Sequence, residues 1–219
     1  MKPTFSEGYR PEIDGLRALA VIPVIFFHAG FEAFGGGFVG VDVFFVISGY
    51  LITSIILRER DSGSFTLAGF YERRARRLLP ALFLVLACCI PFGILILTPP
   101  VFEQFALGLV GSATFSSNLV FLEAAPAYFR SADSELNPLL HTWSLAIEEQ
   151  FYLVYPLFLL LLLKFSRTAL WLTLSILMMS SFLFAVDYND TSFTFFAPHA
   201  RFWELLIGVF VAITLHERG

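Results

Sequence analysis

Apolar residues come in long blocks along this chain, with charges confined to the gaps and to a few positions inside the blocks. A membrane helix needs about 20 mostly apolar residues, and candidates fall at roughly 14–34, 38–57, 78–98, 101–122, 145–163, 168–186 and 201–216. Two blocks are clean: Leu78 to Phe102 and Thr168 to Val186 carry no charge. The others are interrupted by Arg17, Asp42, Glu148, Glu149, Arg201 or Glu204. Ionisable groups inside spans are costly, so they are read first as functional candidates. The pattern predicts an all-α, polytopic helical membrane protein.

Lys and Arg in short loops set orientation. Arg58, Arg60, Arg73, Arg74, Arg76 and Arg77 follow the second block and mark a cytoplasmic loop. Lys2, Arg10 and Arg17 place the N-terminus on the same side, and Lys164 and Arg167 mark a further cytoplasmic loop. Between Arg77 and Lys164 the chain then crosses an even number of times, yet three apolar segments lie there. The weakest is 101–122, with Glu103, Gln104, Gly108, Gly111, Ser112, Ser116, Ser117 and Asn118. It is expected to be re-entrant or interfacial, which needs protein packing or a polar cavity around it. That gives about six crossings plus one such segment. Residues 123–140, with Glu123, Asp133 and Glu135 against Arg130, and residues 187–200, with Asp187 and Asp190, become external.

Composition agrees with the bilayer as solvent. The chain is 57% hydrophobic and 15% charged, with 27 Phe, and its mean hydropathy is +0.76. Soluble domains carry about 25% charged residues. A net charge of −4 gives no reason to expect nucleic-acid binding. Cys88 and Cys89 are adjacent within an apolar run and read as small apolar residues. No metal site is expected from two thiols without further ligands. The polar start and apolar stretch at 18–31 resemble a signal peptide, but no small-residue cleavage site follows, so an uncleaved first span is expected.

Arg17 and His28 are eleven residues apart, about three helical turns, and share a face with Asp14 close to it. Arg17 can reach the interface along its stem. His28 lies deeper, as a general base or as a structural histidine bonded between helices. Gly35 to Gly37 and Gly40 allow a turn and close backbone approach. Asp42 then stands near the start of the second span, either as an acid at a helix N-terminus or as the group that orients His28. Arg73/Arg76 and Arg74/Arg77 are each paired at i, i+3, and guanidinium forks suit phosphates; the other reading is an orientation signal. His141, Ser144, Glu148, Tyr152 and Tyr155 form a polar stripe on one helix. Spacing does not rank Glu148 against Glu149, though Glu148 shares the stripe. Arg201 and Glu204 are expected to pair structurally at i, i+3.

Taken together, these elements resemble the acyltransferase-3 family of bacterial integral membrane O-acyltransferases, of the O-antigen acetylase type. The resemblance rests on Tyr9 to Ala20 through His28, on Gly40-Val41-Asp42-Val43-Phe44-Phe45-Val46-Ile47-Ser48-Gly49-Tyr50-Leu51-Ile52, on Arg73–Arg77, on Trp143-Ser144-Leu145 through Tyr152, and on Arg201, Trp203, Glu204 and Gly208. It implies transfer of an acyl group, usually acetyl, from acyl-CoA (acetyl-CoA) as donor substrate to a carbohydrate hydroxyl. The acceptor would be a cell-surface or lipid-linked glycan such as lipopolysaccharide O-antigen, and no cofactor would be permanently bound. Location in the bacterial inner membrane, with a cytoplasmic N-terminus, follows from the resemblance and the loop charges. Arg17 and His28 match the family's arginine–histidine pair; Arg74/Arg77 or Arg73/Arg76 match its two-arginine donor motif. The expected mechanism has the arginines hold the CoA phosphates and the thioester reach His28. His28 then serves as general base or as a transient acyl carrier, with Asp42 or Glu148 orienting it. The family's membrane domain has about ten spans, and many relatives add a C-terminal extracytoplasmic hydrolase-like domain. Residues 1–219 are therefore expected to be such a membrane domain truncated at its C-terminus. Other readings are a lipid-linked sugar transporter or flippase, or an inactive membrane fragment.

Overall fold

The computed structural model describes residues 11–128, 137–188 and 191–218. The orientation signals Lys2 and Arg10, and Arg130, Asp133, Glu135 and Asp190, lie outside the described residues. The helices are α1 (Pro11–His28), α2 (Gly40–Asp61), α3 (Leu67–Ile96), α4 (Pro99–Ala113), α5 (Ser117–Tyr128), α6 (Thr142–Leu162), α7 (Arg167–Asp187), α8 (Thr191–Phe196) and α9 (Pro198–Arg218). No strand occurs among the described residues. The all-α polytopic class is as expected, and two short 3-10 turns join α1 to α2.

Five helices, α2, α3, α6, α7 and α9, are long and apolar enough to cross a membrane. The sixth expected crossing, α1, is not among them: it has 18 residues and carries Glu12, Asp14 and Arg17 in its first half. The expected irregular segment at 101–122 is broken into α4 and α5, of 15 and 12 residues. At 1.5 Å per residue these reach only about 22 and 18 Å, short of the roughly 30 Å hydrocarbon core. The break falls at Phe115, whose φ is 54°.

Helix starts follow local chemistry. The Thr66 side chain accepts from Gly69 N at the start of α3, and Ser166 from Ala169 N at the start of α7. Pro80 and Pro91 lie inside α3 and Pro156 inside α6. A membrane helix tolerates these where neighbours re-satisfy the freed carbonyls. With 30 residues, α3 is the longest helix. Its charge-free part, Leu78 to Ile96, spans about 28 Å by itself, close to the thickness of a hydrocarbon core, so the arginines before Leu78 lie outside the apolar length of the helix.

The chain forms two compact units, residues 1–54 with 204–219, and residues 55–203. In the first, α1 packs on the start of α2: a Cβ on Gly37 would lie 2.2 Å from Pro23 O, and one on Gly40 2.0 Å from Ala20 O. Further along, α2 crosses α9 at Gly49 and Gly208, whose hypothetical Cβ atoms would sit 2.0 Å from Leu205 O and Val46 O. Such small residues let membrane helices bring their backbones together. Phe45, Leu205 and Val209 are wholly buried around the crossing.

In the second unit, α4 packs on α3, where Gly93 meets Phe105, and α5 packs on α4, α6 and α8. The α4–α5 break is held by side chains. Gln150 Nε2 donates to Phe115 O and to Asn118 Oδ1, each at 2.8 Å, and Asn118 Nδ2 donates to Phe196 O at 3.2 Å. Ser117 donates to Thr142 O, and the Ser112 and Thr142 hydroxyls lie 2.8 Å apart. These buried partners satisfy the irregular backbone, the condition under which it is stable at membrane depth.

Candidate active site

In the first unit Arg17 leans on α2. Its guanidinium carbon is 5.8 Å from the Phe44 ring centroid, and Nη1 is 3.8 Å from Asp14 Oδ1. Its buried Nε has no hydrogen-bond partner among the described residues. His28 is the last residue of α1. It stands about three turns along the helix from Arg17, with its side chain exposed. The reason is local: α1 buries only Ile13 and Ala20 and leaves Leu16, Leu19, Ile22, Ile25 and Phe27 exposed.

The His28 ring is nonetheless fixed. Its Nδ1 lies 2.9 Å from Val24 O, one turn back, and Phe27 stands edge-on at 5.1 Å. A carbonyl oxygen only accepts, so Nδ1 carries the proton. In the neutral ring the lone pair is then on Nε2. The expected orienting bond from Asp42 is replaced by this bond to Val24. Asp42 itself stands half-buried in the first turn of α2.

In the second unit α3 and α6 carry a charged cluster. Arg74 Nη2 donates to Glu149 Oε1 at 2.6 Å. The Arg74 guanidinium carbon sits 3.7 Å from the Tyr152 ring centroid. Tyr152 OH donates to Glu148 Oε1 at 2.5 Å. Glu148 and Tyr152 are 6% and 2% exposed, so this polar pair is buried and mutually satisfied. Tyr71 OH donates to Leu153 O at 2.7 Å and ties the same two helices. Spacing left Glu148 and Glu149 unranked, with Glu148 on the polar stripe; the arginine-bound carboxylate is Glu149. The polar stripe is split, with Glu148, Tyr152 and Tyr155 buried and His141 exposed.

The other arginines differ. Arg73 is held by both carboxylate oxygens of Glu59 at 2.8 and 2.6 Å. Arg76 pairs with Glu72 at 2.6 Å on the surface. Arg77 is exposed and has no ionic or hydrogen-bond partner among the described residues. Arg201 places its guanidinium 5.6 Å from the Trp143 ring and 5.7 Å from Phe195. Ser181 joins α7 to the start of α9, donating to His199 O at 2.7 Å and accepting from Trp203 N at 2.9 Å. Among the described residues no group of three His, Cys, Asp or Glu side chains converges as a metal site would require.

Chemically, the first unit offers an imidazole with a free, exposed Nε2. The second offers Arg77, a guanidinium with no counter-ion among the described residues, one turn from a partly buried Glu149–Arg74–Tyr152–Glu148 chain.

Residues 10–218 match the sequence model of the acyltransferase-3 family, described as an acyltransferase domain. The chain is similar to the peptidoglycan O-acetyltransferase OatA of Listeria monocytogenes serovar 1/2a, 38% identical over 215 residues, covering 95% of this chain and 34% of that protein. It is also similar to the O-acetyltransferase OatA of Staphylococcus aureus strain NCTC 8325, 38% identical over 218 residues, covering 97% of this chain and 36% of that one. The chain thus spans about a third of the length of these relatives. No solved structure matches it.

Proposed function

Because this chain belongs to the acyltransferase-3 family, we propose that it transfers an acetyl group from acetyl-CoA to a hydroxyl of a bacterial cell-surface glycan. The observation that carries the reading is His28, whose Nδ1 is committed to Val24 O and whose Nε2 is left as an exposed base. In the reaction, Nε2 takes the proton of the acceptor hydroxyl as its oxygen attacks the thioester carbonyl carbon. The carbon–sulfur bond breaks, and the CoA thiolate leaves with the proton that His28 returns. The bond to Val24 holds the ring without a carboxylate, so Asp42 is not required as an orienting group.

The donor's phosphates are taken at the arginine-bearing start of α3, which extends beyond the apolar length of that helix. Guanidinium forks suit phosphate oxygens. The Lys/Arg distribution supports the same face as cytoplasmic, with the N-terminus on it, and the membrane as the bacterial inner membrane. The relatives' names favour a peptidoglycan acceptor over the lipopolysaccharide O-antigen expected from the sequence.

The test is acetyl transfer by the chain reconstituted in liposomes with labelled acetyl-CoA and, in parallel, peptidoglycan strands, O-antigen polysaccharide or no acceptor. Label is expected on the peptidoglycan, as a base-labile ester, with stoichiometric CoA release. Label on O-antigen alone would contradict the acceptor assignment. CoA release at the same rate without acceptor would contradict glycan transfer.

A further inference from the structure

The two-arginine pair Arg74/Arg77 has an unequal environment that the donor reading does not anticipate. Arg74 is spoken for on two sides: its Nη2 bonds Glu149 at 2.6 Å and its π-face covers Tyr152 at 3.7 Å. Glu149 is only 13% exposed, so this ion pair is largely screened from solvent. Glu148 stands behind Tyr152, so two carboxylates already belong to the surroundings of one guanidinium. An anionic phosphate approaching Arg74 would have to displace Glu149 and would meet no surplus positive charge. Arg77, one turn on, is exposed and has no carboxylate partner among the described residues. Arg73 and Arg76 are each neutralised, by Glu59 and Glu72.

We propose a division of labour within the pair: Arg77 contacts the donor phosphate, and Arg74 is a positioning residue that ties α3 to α6 through Glu149 and Tyr152. The proposal rests on the donor reading above for Arg77 alone; the role of Arg74 stands on contacts within the second unit. Physically the two differ in kind. The Arg74–Glu149 pair is partly buried and fixes one geometry, and truncating one partner leaves the other charge poorly solvated. An exposed guanidinium with no partner costs the fold little and gains a charge-assisted bond only when an anion arrives.

The test uses the whole chain in lipid nanodiscs, with coenzyme A as the probe, and reads its dissociation constant and the thermal unfolding temperature together. Arg77→Ala is expected to weaken coenzyme A roughly 10- to 100-fold and to leave the unfolding temperature within a degree or so. Arg74→Ala is expected to lower unfolding by about 5–10 °C. The exchange Arg74→Glu with Glu149→Arg is expected to recover most of that loss and near wild-type coenzyme A affinity. Glu149→Gln keeps an acceptor for Arg74 but removes the charge; it is expected to destabilise without tightening coenzyme A.

Arg74 would be a direct donor contact if Arg74→Ala melted normally yet bound coenzyme A tenfold worse, or if Glu149→Gln bound it more tightly by freeing the guanidinium. Either result overturns the division. A wild-type chain that did not bind coenzyme A would overturn the donor reading and the role of Arg77 with it. The unfolding temperatures would then still judge Arg74 separately.

Discussion

Alanine at Gly49 is a direct probe of how the first unit holds together. A Cβ built on Gly49 lies 2.0 Å from Leu205 O, 2.8 Å from Leu205 C and 3.1 Å from Leu205 Cα, all backbone atoms that no side-chain rotation can move away. A carbon needs about 3.3 Å from a carbonyl oxygen, so α2 and α9 must part locally by more than ~1 Å. A gap of 0.5–1 Å forfeits a quarter to a half of each dispersion contact. Here the contacts belong to fully buried Phe45, Leu205 and Val209. Overpacking of this kind costs about 1–3 kcal/mol, and a clash with the Leu205 backbone, which no rotamer relieves, puts Gly49→Ala near 3. Alanine's better helix propensity returns up to ~1 kcal/mol. The net loss of about 2 kcal/mol corresponds to unfolding roughly 4–8 °C lower.

Gly15→Ala is the matched control, since it lies inside α1 and its Cβ meets nothing within 4 Å; it is expected to melt slightly higher. Gly208→Ala, on the other side of the same crossing, should cost as much as Gly49→Ala. The double variant should cost less than the sum, because the helices are already parted. The assay is thermal unfolding of purified protein in one detergent. Gly49→Ala melting within a degree of wild type, or Gly15→Ala falling as far, would refute the reasoning.

Two further outcomes follow from buried polar contacts. Tyr152→Phe keeps the ring under Arg74 but removes the donor to Glu148; unfolding should weaken by about 1.5–3 kcal/mol, and an unchanged melt would show that bond to be dispensable. Gln150→Ala leaves Phe115 O and Asn118 Oδ1 without their donor. A cysteine introduced at Thr114 should then react faster with a membrane-permeant thiol reagent, while equal rates would show that the break holds itself.

Much of this architecture was legible in the sequence because membrane helices announce themselves by length and apolarity. Gly, Ser and Asn within 101–122 argued for a re-entrant or interfacial segment, and the chain there forms two helices each too short to span. What spacing could not supply was choice between neighbours. Glu148 and Glu149 are adjacent, and helical phase puts Glu148 on the stripe with Tyr152, yet Arg74 reaches Glu149 because α3 approaches α6 from that side. The same limit left Arg73/Arg76 and Arg74/Arg77 equivalent until Glu59 and Glu72 were seen to occupy the first pair. His28 was read as buried because it lies about three turns from Arg17 within an apolar stretch. Apolarity in a membrane protein marks surfaces facing lipid as readily as cores, and α1 leaves its apolar side chains exposed. Asp42 was a candidate for orienting His28 only because no sequence signal reveals a ring nitrogen bonded to its own helix.

The account turns on His28 Nε2 as the base for acetyl transfer. The measurement is the rate of acetyl transfer from labelled acetyl-CoA to peptidoglycan by the reconstituted His28→Ala chain, with its unfolding temperature and coenzyme A affinity recorded alongside. A rate lower by a factor of about 10²–10⁴, with the other two quantities unchanged, is the predicted result. A rate within a few-fold of wild type would contradict the central claim.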